Sequence, residues 1–274
     1  MAIQVIVHDD PARALSEAGR FLASEPVLHN IILTLLRARM AHPQPGRYWL
    51  ARKDGDVAGL VLQSPLDFPA NLTPMPSDVA AAMVDHIVDS AVKLPGVSGD
   101  AATAARFAGH WTERTKAAAV PFMGLRLYEL LEMGERPKAS GQMRQAAAGD
   151  RELLVEWVRL FQEEIGETNF DVAALVDQWL PAGYIWMWLD GEPVSMAVTR
   201  EPVEDVVRVA GVYTPTDKRK RGYAGACVYD LSRQIRDCGR RPILYTDLGN
   251  PTSNSIYQRI GYRAVSEGLR YRFD

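Results

Sequence analysis

Apolar positions along the chain follow two rhythms. Spacings of three and four mark helices, and period-two runs of branched and aromatic residues mark strands. In the first half the spacing predicts helices over residues 11–23, with Asp9 or Asp10 near the N-cap, and over 28–39. Residues 48–52 and 57–63 read as a hairpin around Lys53-Asp54-Gly55-Asp56. Helices follow over 77–92 and 101–116, then a strand over 123–131. In the second half 142–147 reads as a strand. Residues 151–165 form an amphipathic helix whose apolar face holds Leu153, Leu154, Trp157, Leu160, Phe161 and Ile165. A helix over 171–180 closes at Pro181. Strands over 184–189 and 193–199 flank the turn Asp190-Gly191, and 206–213 is a strongly β-branched strand. A helix over 224–236, a short strand at 243–245, a helix over 253–260 and strands over 262–265 and 269–273 finish the chain. The order is that of a mixed α/β sheet.

Gly, Pro, Ser and charges cluster at 134–141, between an apolar run and a new periodic segment, which is linker composition. The expected organisation is therefore a domain over 1–133, a linker over 134–141 and a domain over 142–274. Both halves share a coarse helix, helix, strand-pair, helix plan. With 47% hydrophobic and 24% charged residues, the chain can bury a full core and is not globally disordered. Its net charge of −3 argues against whole-protein attraction to nucleic acid or anionic lipid. Neither a leader pattern nor an apolar run long enough for a membrane helix is visible. Cys227 and Cys238 have no metal-ligand spacing and are too few for a disulfide framework, so a cytoplasmic setting and no metal are expected.

One stretch carries chemistry. Val212, Tyr213 and Thr214 end a strand at Pro215. A basic bend follows (Lys218, Arg219, Lys220, Arg221, Gly222), and a helix opens at Tyr223 and Ala224. The first N–H groups of a helix lack intrahelical acceptors and carry partial positive charge, so such a bend suits phosphate or pyrophosphate. Gly222 lets a ligand approach the backbone. The bland reading is a solvated basic turn; strand, proline, cations, glycine and helix in this order favour the anion site. It is neither a Walker loop nor a dinucleotide fingerprint.

Arg219-Lys-Arg-Gly222-Tyr-Ala224 resembles the Q/R-x-x-G-x-G/A signature of the GNAT N-acetyltransferase superfamily. About thirty residues on, Asn250-Pro-Thr-Ser-Asn254-Ser-Ile-Tyr257-Gln-Arg-Ile-Gly261-Tyr262 resembles that family's second motif. The resemblance covers 141–274 well. It implies a mixed, mostly antiparallel GNAT-type sheet flanked by helices, and acetyl-CoA as cosubstrate. It also implies that main-chain N–H groups of Arg219, Lys220, Arg221, Gly222, Tyr223 and Ala224 bind the pyrophosphate. The edge Val212–Thr214 of a strand splayed by a bulge would pair with the pantetheine arm. Asn254, with Asn250 as the alternative, would contact that arm, and Tyr257 would protonate the leaving thiolate. A tyrosine stays protonated at neutral pH and can serve as that acid; the bland reading of Tyr257 is a core tyrosine.

The general base is not legible. All five histidines (His8, His29, His42, His86, His110) lie in the first half. Glu163, Glu164, Glu167, Glu201 and Asp205 are candidates, each of them more often a solvated carboxylate, and a water chain is the alternative. Cys227 reads as core, and Trp179, Trp186 and Trp188 as packing. The first half lacks the basic bend: Phe68-Pro-Ala-Asn-Leu-Thr-Pro-Met-Pro76 stands in its place. It therefore resembles the degenerate N-terminal domain of two-domain GNAT proteins. The function expected is acetyl transfer from acetyl-CoA to the amine of a small molecule in a ternary complex. The acidic balance favours a cationic acceptor. The partner is then a small-molecule amine rather than nucleic acid or membrane, and the protein a monomer or homodimer. The alternative is a non-catalytic CoA-binding sensor.

Overall fold

A computed structural model describes residues 3–166 and 171–274. Its contacts divide the chain into two compact units. One takes the residues up to Leu127 with Thr246–Asn250 and Ala264–Asp274; the other takes Tyr128–Tyr245 and Pro251–Arg263. In this division the segment 134–141 groups with the second unit, and Ala264–Asp274 groups with the first.

The first unit opens with β1 (Ile3–His8), α1 (Pro11–Ser24) and α2 (Asn30–Ala41). Asp10 caps α1 by accepting from the Ala12 N–H at 2.8 Å, and Pro11 takes the first helical position, where no N–H is needed. Next come β2 (Arg47–Lys53), β3 (Asp56–Gln63), β4 (Ala70–Leu72), α3 (Ser77–Asp89), β5 (Gly96–Asp100), α4 (Ala101–Thr115) and β6 (Ala119–Leu130). Sequence periodicity predicts neither β1, β4 nor β5. β1 is mostly half-exposed, β4 has three residues, and β5 holds two glycines, so none shows a clean alternation.

The second unit continues with β7 (Gln142–Gln145), α5 (Arg151–Ile165), α6 (Val172–Trp179), β8 (Ile185–Asp190), β9 (Glu192–Thr199) and β10 (Val206–Tyr213). Then follow α7 (Tyr223–Asp237), β11 (Arg241–Asp247), α8 (Pro251–Ile260) and β12 (Tyr262–Phe273), which passes into the first unit from Ala264 on. α5 ends at Gly166 in the left-handed conformation, and Asp171 caps α6 through the Ala174 N–H.

Within the first unit β1, β2, β3 and β4 pair antiparallel in sequence; β4 and β5 run parallel. β12 then pairs antiparallel with β5 from Gly268↔Asp100 to Arg272↔Gly96. It is one strand, not the two expected, because Gly268 keeps its place in the ladder. Its side chains complete a core of Trp49, Val61, Met83 and Phe107 under α3 and α4, with Trp111 stacked on Phe273 at 5.0 Å. That packing is why the end of the chain belongs here.

Within the second unit β7, β8, β9 and β10 pair antiparallel, and β10 and β11 run parallel. Both faces of this sheet are covered. Val207, Val209 and Leu244 pack with Ala226, Val228 and Leu231 of α7 on one face. Ile185, Met187, Met196 and Val198 pack with Leu154, Trp157 and Val158 of α5 on the other. Each unit is thus a mostly antiparallel sheet with one parallel pair and helices against it. No helix among the described residues is long and apolar enough to cross a membrane.

Phe107 is fully buried in the first unit's core. Phe107→Ala is expected to cost about 3–5 kcal/mol, read from the denaturant midpoint of that unit's transition.

Candidate active site

The site starts with a break in a strand. The ladder between β9 and β10 passes from Ala210↔Val198 to Tyr213↔Met196, so β10 carries one residue more than its partner. Gly211 absorbs this bulge with φ +55°, and a Cβ there would stand 3.0 Å from Val198 Cγ2. Because side chains alternate with period two, the extra residue switches faces. Val209 packs on the α7 side, whereas Tyr213 packs with Trp157 on the α5 side, ring centroids 6.0 Å apart. Val212 turns to the α7 side and is half-buried. The bulge is fixed by Ser195, whose buried hydroxyl donates to the Tyr213 carbonyl at 2.9 Å and lies 2.8 Å from the Thr214 hydroxyl. On its other side, β10 pairs with β11 only from Val206↔Arg241 to Val209↔Leu244. The main chain of Ala210–Tyr213 is therefore an unpaired edge on that side among the described residues.

The bend then runs through a short helical turn at Thr216–Lys218 into α7. Lys220 (φ +65°) and Gly222 (φ +84°) are both left-handed. Gly222 caps α7 with no side-chain bond, and the first helical hydrogen bond is Ala226 N–H to Gly222 O at 2.9 Å. Among the described residues, no main-chain N–H from Lys220 to Gly225 has an acceptor. Successive N–H groups turned inward by left-handed residues form an anion-binding concavity, and the helix dipole adds to its potential.

The bend is exposed at Arg219, Lys220, Arg221 and Gly222. Arg219 folds away from it: its Nε donates to the Thr214 carbonyl at 2.8 Å, another nitrogen pairs with Glu164, and its guanidinium sits 5.9 Å from the Tyr213 ring centre. Lys218 pairs with Glu192 at 2.5 Å. Arg221 reaches the Asp217 carbonyl at 3.5 Å. Tyr223 is buried, and its hydroxyl donates to Asp190 at 2.5 Å. That bond, a second from Ser140 at 2.7 Å and the nearby Arg221 charge hold the Asp190 carboxyl below the usual range. Tyr223 and Ala224 thus offer the site their main chain only.

Asn250 belongs to the first unit and Asn254 to the second, so Asn254 shares a unit with the bend. Its Oδ1 accepts from the Tyr128 hydroxyl at 2.9 Å. Tyr257 lies on α8 in the α7-side core, 9% exposed and edge-on to Tyr262 at 6.1 Å. Burial pushes its hydroxyl up to about 12. Cys227 is fully buried and pushed up to about 12 by the same cause, which suits a core thiol. Glu163 pairs with Arg159 at 2.5 Å, and Asp205 lies 3.8 Å from Arg241. Glu201 is exposed, and Glu167 lies outside the described residues. Sequence reasoning missed Ser195, which looks like one more strand residue, and Asp190, which reads as a turn residue before Gly191.

The corresponding place in the first unit is closed. Met75 is buried with its side chain about the space a Gly59 Cβ would fill, and its N–H donates to the Thr103 hydroxyl at 3.2 Å. Pro76 precedes α3 and has no N–H to offer.

A family model described as FR47-like protein matches residues 191–271, the stretch that contains the bend and α8. No curated protein matches the chain. Similar solved structures include a GNAT-family acetyltransferase from Colwellia psychrerythraea (11% identity, 100% of each chain, TM-score 0.64). Another is a GCN5-related N-acetyltransferase from Sphaerobacter thermophilus (17% identity, 98% of this chain and 95% of that one, TM-score 0.63). A third is a tandem GNAT protein from the clavulanic acid biosynthesis pathway (8% identity, 98% of each chain, TM-score 0.57). At these identities the likeness is one of fold. The chain thus has the fold of the GNAT acetyltransferases, and residues 191–271 carry the FR47-like match.

A Cβ on Gly222 would meet the Lys138 carbonyl at 2.9 Å as well as suffer the left-handed φ. Substitution here therefore strains the fold, contrary to what exposure alone suggests. Gly222→Ala is expected to cost about 1–2 kcal/mol in denaturant unfolding.

Proposed function

We propose that the second unit is an acetyl-CoA-dependent N-acetyltransferase acting on the amine of a small molecule by direct attack in a ternary complex. The observation that carries this reading is the run of acceptorless N–H groups from Lys220 to Gly225, beside the unpaired edge of β10. The N–H groups suit a diphosphate and the edge suits an amide-bearing arm. The donor set thus fits the cosubstrate along its length, and acetyl-CoA supplies the activated thioester.

Three tasks remain for the protein. The main chain near Val212, facing no β11 partner, holds the oxyanion as the amine adds to the thioester carbonyl. Tyr257, protonated well beyond neutral pH, gives its proton to the leaving thiolate. The incoming amine loses its proton to water or to a carboxylate such as Glu164, which the Arg219 pair otherwise occupies. The acidic balance of the chain favours a cationic acceptor.

One observation favours a second reading, a CoA-binding sensor: Tyr257 lies in the apolar core cluster and makes no hydrogen bond among the described residues. Free-thiol release from acetyl-CoA over a panel of amino acids, polyamines and aminoglycosides separates the two. Turnover with at least one amine supports transfer. Acetyl-CoA raising the melting temperature with no turnover across the panel supports the sensor. For a transferase, Tyr257→Phe is expected to lower kcat about 10²-fold with little change in acetyl-CoA affinity.

A further inference from the structure

The segment 134–141 has linker composition, yet it lies pinned along the second unit. The Gly134 N–H donates to the Ile260 carbonyl at 2.6 Å and that of Glu135 to Arg259 at 3.1 Å. Arg136 forms a two-pronged pair with Asp230, at 2.8 and 3.1 Å. A Cβ on Gly225 would stand 3.2 Å from Pro137, and one on Gly222 would stand 2.9 Å from the Lys138 carbonyl. The Ser140 hydroxyl donates to Asp190, and the Ser140 carbonyl accepts from the Trp188 indole N–H, both at 2.7 Å. This strap crosses the opening of α7 and sets Lys138 beside the left-handed glycine of the bend.

The carboxylates bonded to the bend and the strap are taken. Asp190 accepts from Tyr223 and Ser140, Glu192 from Lys218, Asp230 from Arg136, and Glu164 from Arg219. Lys138 is exposed and, like Lys220, has no hydrogen bond or ion pair among the described residues.

We propose that Lys138 completes the cosubstrate site as the cation for the 3′-phosphate monoester of the CoA ribose. This rests on the acetyl-CoA reading of the bend. The two phosphate groups of the diphosphate are met by directional main-chain donors. A monoester carries close to two charges at neutral pH and no fixed partner in that nest. An ammonium on a flexible four-carbon stem suits such a group, because it acts as a point charge with three rotatable donors. The pinned backbone of the strap leaves only the lysine side chain to be ordered on binding. Lys138 precedes the first strand of the second unit, outside both sequence motifs.

The test is calorimetric titration of the full chain with acetyl-CoA and with 3′-dephospho-acetyl-CoA. The wild type is expected to bind acetyl-CoA about tenfold more tightly than the dephospho form. Lys138→Ala is expected to weaken acetyl-CoA to the dephospho level and to leave dephospho binding unchanged; Lys138→Arg keeps the preference. Lys138→Met retains the stem and removes only the charge, so it decides the matter should alanine disturb the strap. A full preference retained in both neutral variants, or none in the wild type, overturns the role of Lys138. A wild type that binds neither ligand removes the acetyl-CoA reading itself, and this role with it.

Discussion

Main-chain N–H groups that a fold leaves without acceptors must be met by water or by a ligand, and the second unit concentrates them at one bend. Two residues of the bend, Lys220 and Gly222, are left-handed, and α7 begins on a glycine with no capping side chain. Serine or aspartate at that cap would satisfy an amide and place an oxygen where an anion belongs. The bulge in β10 works toward the same end. It stops the parallel ladder at Val209↔Leu244 and leaves a length of strand edge next to the bend. Ser195 is the small polar group that keeps this irregularity from collapsing into regular pairing.

The two units show what this arrangement requires by differing in it. Each has a strand, a turn and a helix beside its one parallel strand pair. In the first unit a buried methionine and two prolines occupy the turn, and the Thr103 hydroxyl takes the Met75 N–H. A single topology thus yields one open nest and one filled corner, decided by a handful of side chains.

The helices were legible because their apolar stripes are long and their caps conventional, as at Asp10 and Asp171. The bend was legible because glycine and four consecutive cations in front of a helix have few other uses. Short strands were not: β4 and β5 are held by their neighbours, and three to five residues cannot display a period. The strap was read as a linker because glycine, proline and charges mark flexible and pinned segments alike. Only Arg136 against Asp230 and Ser140 against Asp190 reveal the difference, and both partners lie at least 50 residues away in sequence. The end of the chain joins the first unit for the same reason: pairing of Leu269 with Gly99 is a long-range choice that local pattern does not record.

That last pairing constrains how the chain comes together. The first unit takes its closing strand from beyond the whole of the second, so during ribosomal synthesis the edge of β5 stays uncovered until β12 has been made. The second unit's sheet from β7 to β11 has no such delay, since all five strands precede β12 in the chain.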